Sequence, residues 1–214
     1  MTPMSSSSSS SRDGAALILG STSRYRRALL ERLQIPFDTI APNVDETAGP
    51  GESPSQLAGR LSLAKARAVA ATLAASRPDA LVIGSDQTAT LDGRQILGKP
   101  GGFERAREQL RAASGRDMTF HSGMVLRRAG GGFEKLVVID TIVRFRRLDD
   151  ATIDAYLLRE QPYDCAGSAK AEALGITLVE AIRCDDPTAI IGLPLIALTG
   201  LLIEAGLPPV PGQR

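Results

Sequence analysis

Two apolar runs, Leu17-Ile-Leu-Gly20 and Leu81-Val-Ile-Gly84, each end on a glycine and pass at once into small, polar and charged residues. This is the form of a buried strand in an α/β sheet, where the loop at the strand's carboxyl end meets a ligand. The first run leads into Ser21-Thr-Ser-Arg-Tyr-Arg-Arg27 and the second into Ser85-Asp-Gln87. The remaining elements have to fit around two such strands.

The pattern predicts a strand over 15–20, then a helix over 25–33 that Ile35-Pro36 stops, then a short extended segment over 37–41. Ser53 and Gln56 have capping-box spacing and open an alanine-rich helix that runs to about Ser76 and carries Lys65. A second buried strand covers 80–84, and Asp92-Gly93 suits a type I′ turn within a hairpin over 88–97. A helix follows near 103–113. Strands over 119–128 and 135–145 join through Gly130-Gly-Gly132, and a helix begins at Asp149. A strand over 176–180 and an apolar helix over 193–205 complete the chain. With 214 residues, no internal repeat and no linker after the start, one α/β unit over 15–214 is the expectation.

Residues 1–14 are dominated by serine, which buries too little surface to fold, so a disordered tail is expected there in place of a secretory signal. A net charge of +1 argues against a general nucleic-acid binder, and the absence of Trp argues against a single-strand stacking platform. No apolar stretch is long enough for a membrane span. Cys165 and Cys184 show neither disulfide-framework nor zinc spacing, so two reduced thiols in a cytoplasmic protein are expected.

Ser21, Ser23, Arg26 and Arg27 stand at a strand-to-helix junction, where free N–H groups and fixed positive charge suit a polyphosphate. The same arginines also fit a solvated helix face. Asp86 follows the second strand and suits a divalent cation or the proton of an attacking water, although a turn aspartate has the same pattern. Asp45 and Glu46 offer the oxygen ligands that Mg²⁺ or Mn²⁺ prefers, and Lys65, Lys99 and Lys170 offer further charge for phosphate. His121, the sole histidine, sits in an alternating strand pattern and reads as structural or exposed, and Cys165 reads as structural. These features point to an enzyme acting on a nucleotide.

Six segments in order resemble the Maf-like nucleoside triphosphate pyrophosphatases, and within them the 7-methyl-GTP pyrophosphatase branch. They are Leu19-Gly-Ser-Thr-Ser-Arg-Tyr-Arg-Arg-Ala-Leu-Leu30, Ala41-Pro-Asn-Val-Asp-Glu-Thr47, Ile83-Gly-Ser-Asp-Gln87, Leu97-Gly-Lys-Pro100, Cys165-Ala-Gly-Ser-Ala-Lys-Ala-Glu172 and Gly192-Leu-Pro-Leu195. The resemblance implies an elongated α/β fold with a central mixed sheet flanked by helices and two lobes around a cleft, as in inosine triphosphatases. It implies hydrolysis between the α- and β-phosphates with a divalent metal, Mg²⁺ or Mn²⁺, in a cytoplasmic protein that removes modified nucleotides, and it leaves room for a homodimer.

By position, Asp86 matches the family's proton acceptor and a metal ligand. Glu46 matches the metal-handling residue, Ser21, Arg26, Arg27, Lys65 and Lys99 the phosphate-binding ones, and Tyr25, Gln87 and Glu172 those tied to base choice. For 7-methylguanine, Tyr25 would stack on the cationic ring and Glu172 would accept from guanine's paired donors. Arg24 stands where the family commonly has Pro, Tyr25 where the branch often has Trp, and Ala173 replaces a frequent Gly. The rival readings are a dTTP or UTP pyrophosphatase, against which Gln87 and Glu172 argue, a non-catalytic nucleotide-binding regulator of cell division, and a plain monophosphatase.

Overall fold

In the computed structural model, which describes residues 17–213, six strands form one mixed sheet. The strands are β1 (Leu17–Gly20), β2 (Phe37–Thr39), β3 (Leu81–Thr90), β4 (Asp117–Arg128), β5 (Glu134–Phe145) and β6 (Val179–Arg183), in the spatial order β2-β1-β3-β4-β5-β6. β2, β1 and β3 are parallel, whereas β3 through β6 pair antiparallel. Parallel neighbours need a crossover, and here α1 (Arg24–Glu31) and α2 (Pro54–Leu73) supply it. The expectation for residues 1–14 lies outside the described residues.

Strand alternation assigns the two faces of the sheet. Leu17 and Leu19 pack with Leu29 and Leu30 of α1 and with α5 (Leu195–Glu204), while Ile18 packs against Val69, Ala70 and Leu73 of α2. A second core gathers α3 (Phe103–Ala113), α4 (Asp150–Glu160) and β6 around Phe120, Phe145 and Leu157. β3 and β4 run through both cores, so the two lobes share one sheet.

α2 is set unusually close to that sheet. A Cβ on Gly84 would stand 2.3 Å from the Ser62 carbonyl oxygen and 2.5 Å from the Ala66 nitrogen, and one on Gly123 would stand 2.5 Å from the Ala58 carbonyl oxygen. Ser53 and Gln56 form the expected reciprocal cap at the start of this helix. At the other end of the chain, buried Asp186 accepts from the amides of Ile196 (2.7 Å) and Ala197 (3.1 Å), and so caps α5, where Pro194 has no side chain to do it.

Three expectations need correction. β3 does not end at Gly84 but continues to Thr90, because ten of its residues pair with β4. The hairpin over 88–97 shrinks to one bridge between Ala89 and Leu97. Asp92 Oδ1 there takes the amides of Arg94 (2.9 Å) and Gln95 (2.7 Å), which closes an Asx-type turn in place of a strand ladder. The strand expected over 176–180 lies three residues later, since Leu174–Leu178 is a 3₁₀ turn packed tightly on Lys170 at Gly175.

Glu134 ties β5 to α2 and β4 through Arg67 and Arg127. The bonds from Arg67, with help from Arg127, lower its pKa from 4.5 to about 2. A depressed carboxyl pKa contributes stability that is present above the unfolded value and is lost as pH falls through the folded one. Between about pH 4.5 and 2 the protein therefore loses about 1 kcal/mol from this site after allowance for solvent screening. Denaturant midpoints measured across that window will fall less steeply in Glu134→Gln than in the parent.

Candidate active site

The register of β1 on β3 ends at Gly20 and Gly84. Beyond that point β3 runs on without its parallel neighbour, and a cleft of about 680 Å³ opens beside it, within the size range of small-molecule sites. Asp86 lies two residues past the last paired position, in mid-strand and not at a strand end as the sequence suggested. Its amide donates to Ser62 Oγ (2.9 Å), and Ser62 in turn donates to the Ala58 carbonyl (2.7 Å), so α2 fixes the backbone at this position.

Lys65 stands one turn after Ser62 on the same helix. Its side chain is buried, and its ammonium lies 2.6 Å from Asp86 Oδ1 and 2.6 Å from Glu46 Oε1. The bond from Lys65 holds the Glu46 carboxyl below its ordinary pKa, and Lys99 and Arg26 add to the effect. Burial pulls the Arg26 guanidinium down, opposed by Asp86 and Glu46. Arg26 is aimed from α1 by its Nε, which donates to the Gly192 carbonyl (2.9 Å), and its Nη1 lies 3.5 Å from Ser21 Oγ. Gly192 has φ +111°, the left-handed region that favours glycine, and it lies in contact with Arg26.

The structure thus brings Ser21, Arg26, Glu46, Lys65, Asp86 and Lys99 together on the lining of the cleft, with three cations against two carboxylates. Tyr25, Asp164, Cys165 and Glu172 line it too, with the Tyr25 hydroxyl donating to Asp164 (3.2 Å), and Ile190, Ile191, Leu97 and Phe120 supply apolar wall. Burial, and then the Asp164 carboxylate, push the Cys165 thiol up to about 12, so it stays a protonated thiol; both cysteines are free. Gln87 lines the cleft, but its amide nitrogen is engaged by Ser122 Oγ (2.9 Å) and by the carbonyls of Ala189 (2.9 Å) and Ile190 (3.0 Å), so it anchors the wall.

Other candidates sit elsewhere. Arg27 pairs with Glu31 along α1 (3.2 Å), is 61% exposed and does not line the cleft. Asp45 accepts from the Thr47 amide in an exposed turn, Lys170 is buried beside Glu160 (3.4 Å), and His121 Nδ1 meets Asp140 (2.6 Å). Replacing Arg26 by Ala should lower kcat/KM by about 100-fold, a charged hydrogen bond's worth, whereas Arg27→Ala should change it by less than about twofold. Steady-state kinetics on the two variants checks this.

Sequence reasoning singled out neither Ser62 nor Asp164. Ser62 was accessible from its helical spacing to Lys65, three residues on. Asp164 had only its place before Cys165 to recommend it.

A divalent cation fits this donor set in one way. Among the described residues no three His, Cys, Asp or Glu side chains cluster, so the protein alone offers no cage. Two carboxylates already share one cation, the Lys65 ammonium, and Mg²⁺ is commonly held by one or two carboxylates together with substrate phosphates and water.

A cleft in an α/β fold that sets Arg26, Lys65 and Lys99 beside two carboxylates, with a phenol and further carboxylates on its lining, defines a binder of small phosphorylated molecules. The chain belongs to the Maf-like proteins, whose family model matches residues 16–205. It is 62% identical over 197 residues to the 7-methyl-GTP pyrophosphatase of Bordetella pertussis, covering 92% of this chain and 96% of that one. Against the 7-methyl-GTP pyrophosphatase of Burkholderia thailandensis the identity is 59% over 192 residues, covering 90% and 88%. Among the described residues no helix is long and apolar enough to cross a membrane.

Proposed function

We propose that this protein hydrolyses 7-methyl-GTP at the α–β phosphoanhydride bond, giving 7-methyl-GMP and pyrophosphate. The observation that carries the reading is the lining of this cleft, which joins Arg26, Lys65 and Lys99 with Asp86 and Glu46 and adds Tyr25 and Glu172. The names of the relatives at 58–62% identity support the same substrate.

The triphosphate lies along Arg26, Lys65, Lys99 and Ser21, whose charges and hydrogen bonds offset the repulsion between an anionic chain and an attacking oxygen. Water adds to phosphorus at the α–β bridge, its proton passes to the Asp86 carboxylate, and the bridging P–O bond breaks to release pyrophosphate. Lys65 holds Asp86 in place from α2 and, lining the same cleft, stabilises the charge that gathers on the leaving group. Mg²⁺ or Mn²⁺, held by Glu46 and Asp86 with the substrate's own oxygens, would neutralise charge on the phosphates when bound. Tyr25 stacks on the methylated base and Glu172 accepts from its N1–H and exocyclic amine. The enzyme works on free nucleotides in the cytoplasm, as one domain over 15–214.

A panel of 7-methyl-GTP, GTP, UTP, dTTP and CTP, compared by kcat/KM, tests the base assignment. The highest value for 7-methyl-GTP is the expected result. A preference for UTP or dTTP would keep the chemistry of Asp86 and remove the roles given to Tyr25 and Glu172. Tight binding with no metal-dependent turnover of any of the five would favour a regulator.

A further inference from the structure

We infer that Arg24 fills, in the free protein, the place of a cationic nucleobase, and that Asp164 is the carboxylate for which the two compete. The inference rests on the base reading above and extends it to two residues that the reading does not use.

The Arg24 guanidinium lies over the Tyr25 ring, its carbon 4.8 Å from the ring centre. The same group donates to the Tyr25 hydroxyl (2.8 Å) and to Asp164 Oδ2 (3.3 Å), and the Tyr25 hydroxyl donates to that oxygen as well (3.2 Å). All three side chains line the cleft. The phenol face meant for the base is therefore already covered by a planar, delocalised cation. An alkylated guanine is also a planar, delocalised cation, so one chemical type replaces another on the same ring and beside the same carboxylate.

Two further facts make the exchange easy. Arg24 is 74% exposed and Asp164 48% exposed, so their ion pair is of the weak, displaceable kind. Arg24 also opens α1, where the helix dipole disfavours a cation and no acidic residue of the first turn offsets it, so the helix gains nothing from the arginine. The other cation near Asp164 is Lys170 (3.8 Å). It is buried, bonded to Glu160 and outside the cleft lining, and it stays in place when Arg24 leaves.

A neutral guanine brings no charge to Asp164 and leaves the Arg24–Asp164 pair in place, whereas the methylated form takes that carboxylate only by breaking the pair. Asp164 thus raises discrimination for a charged base and Arg24 lowers it.

The test is the ratio of kcat/KM for 7-methyl-GTP over GTP in the full-length protein, with 7-methylguanosine and guanosine binding measured by calorimetry as a phosphate-free companion. Arg24→Ala and Arg24→Gln should each raise the ratio about threefold, through KM, and Asp164→Asn should lower it about fivefold, the range open to exposed charge pairs. In an Asp164→Asn background, Arg24→Ala should no longer raise it. The inference is overturned if Arg24→Ala leaves the ratio within about 1.5-fold of the parent, a margin below a typical exposed pair, or if Asp164→Asn does not lower it. A parent protein that prefers UTP would overturn the base reading and this inference together; a parent that prefers 7-methyl-GTP but ignores Arg24 would overturn this inference alone.

Discussion

Asp86→Asn is expected to lower kcat by about 10²–10⁴-fold, the range for loss of a positioned proton acceptor, with KM changed far less. The substitution keeps the side chain's shape and its contact with Lys65 but removes the basic oxygen. Asp86 sits where β3 has outrun β1, its amide is fixed by Ser62, and its carboxylate is 2.6 Å from Lys65. A loss in kcat alone separates proton transfer from phosphate binding, since a binding residue such as Lys99 should act on KM as well. Because Asn keeps an acceptor for the buried Lys65 ammonium, which Glu46 continues to pair, the thermal midpoint of Asp86→Asn should fall only modestly. A variant that keeps more than about a tenth of the parental kcat would exclude Asp86 from the proton transfer.

The second large effect concerns the scaffold. Gly84→Ala is expected to cost about 3 kcal/mol, near the upper end for overpacking, and so to lower the thermal midpoint by roughly 10 °C in a domain of this size. The new methyl would stand 2.3 Å from the Ser62 carbonyl oxygen and 2.5 Å from the Ala66 nitrogen, both backbone atoms of α2. Neither can move without the helix. If α2 moves to accept the methyl, Lys65 and Ser62 move away from Asp86, so kcat should fall together with stability. Gly200→Ala in α5 is the control: nothing lies within 4 Å of its would-be Cβ, and replacing a helical glycine there should raise stability by about 0.5–1 kcal/mol. Equal midpoints for Gly84→Ala and the parent would mean that α2 does not press on β3 as described.

The same two residues show what was legible in the sequence. Leu81 to Gly84 and the polar residues after it mark a site, and Asp86, Lys65 and Glu46 are each recognisable as candidates. Their meeting is not legible, because it depends on a backbone contact at Gly84 between segments some twenty residues apart. The helix over Phe103–Ala113 and the cap at Ser53 follow from local spacing and stand as expected. The run Ser85-Asp-Gln87 reads as a loop leading into a hairpin at Thr88, since three polar residues break the apolar pattern. It is a strand because β4 pairs with all of it and its polar groups find partners, among them Ser85 Oγ on the Gly192 carbonyl (2.8 Å) and Thr88 Oγ1 on the Pro54 carbonyl (2.8 Å). Arg26 and Arg27 are equivalent in sequence. Only the turn of α1 separates one that faces Ser21 and Gly192 from one that faces Glu31 and solvent.

The most direct measurement is the identity of the products from 7-methyl-GTP in a single turnover with Mg²⁺ or Mn²⁺. Equal amounts of 7-methyl-GMP and pyrophosphate, formed in the parent and formed at least about a hundredfold more slowly in Asp86→Asn, are the predicted result. Release of orthophosphate with 7-methyl-GDP would contradict it, because it would place the attacked bond one phosphate further from the base than the arrangement of Asp86, Lys65 and Arg26 is proposed to serve.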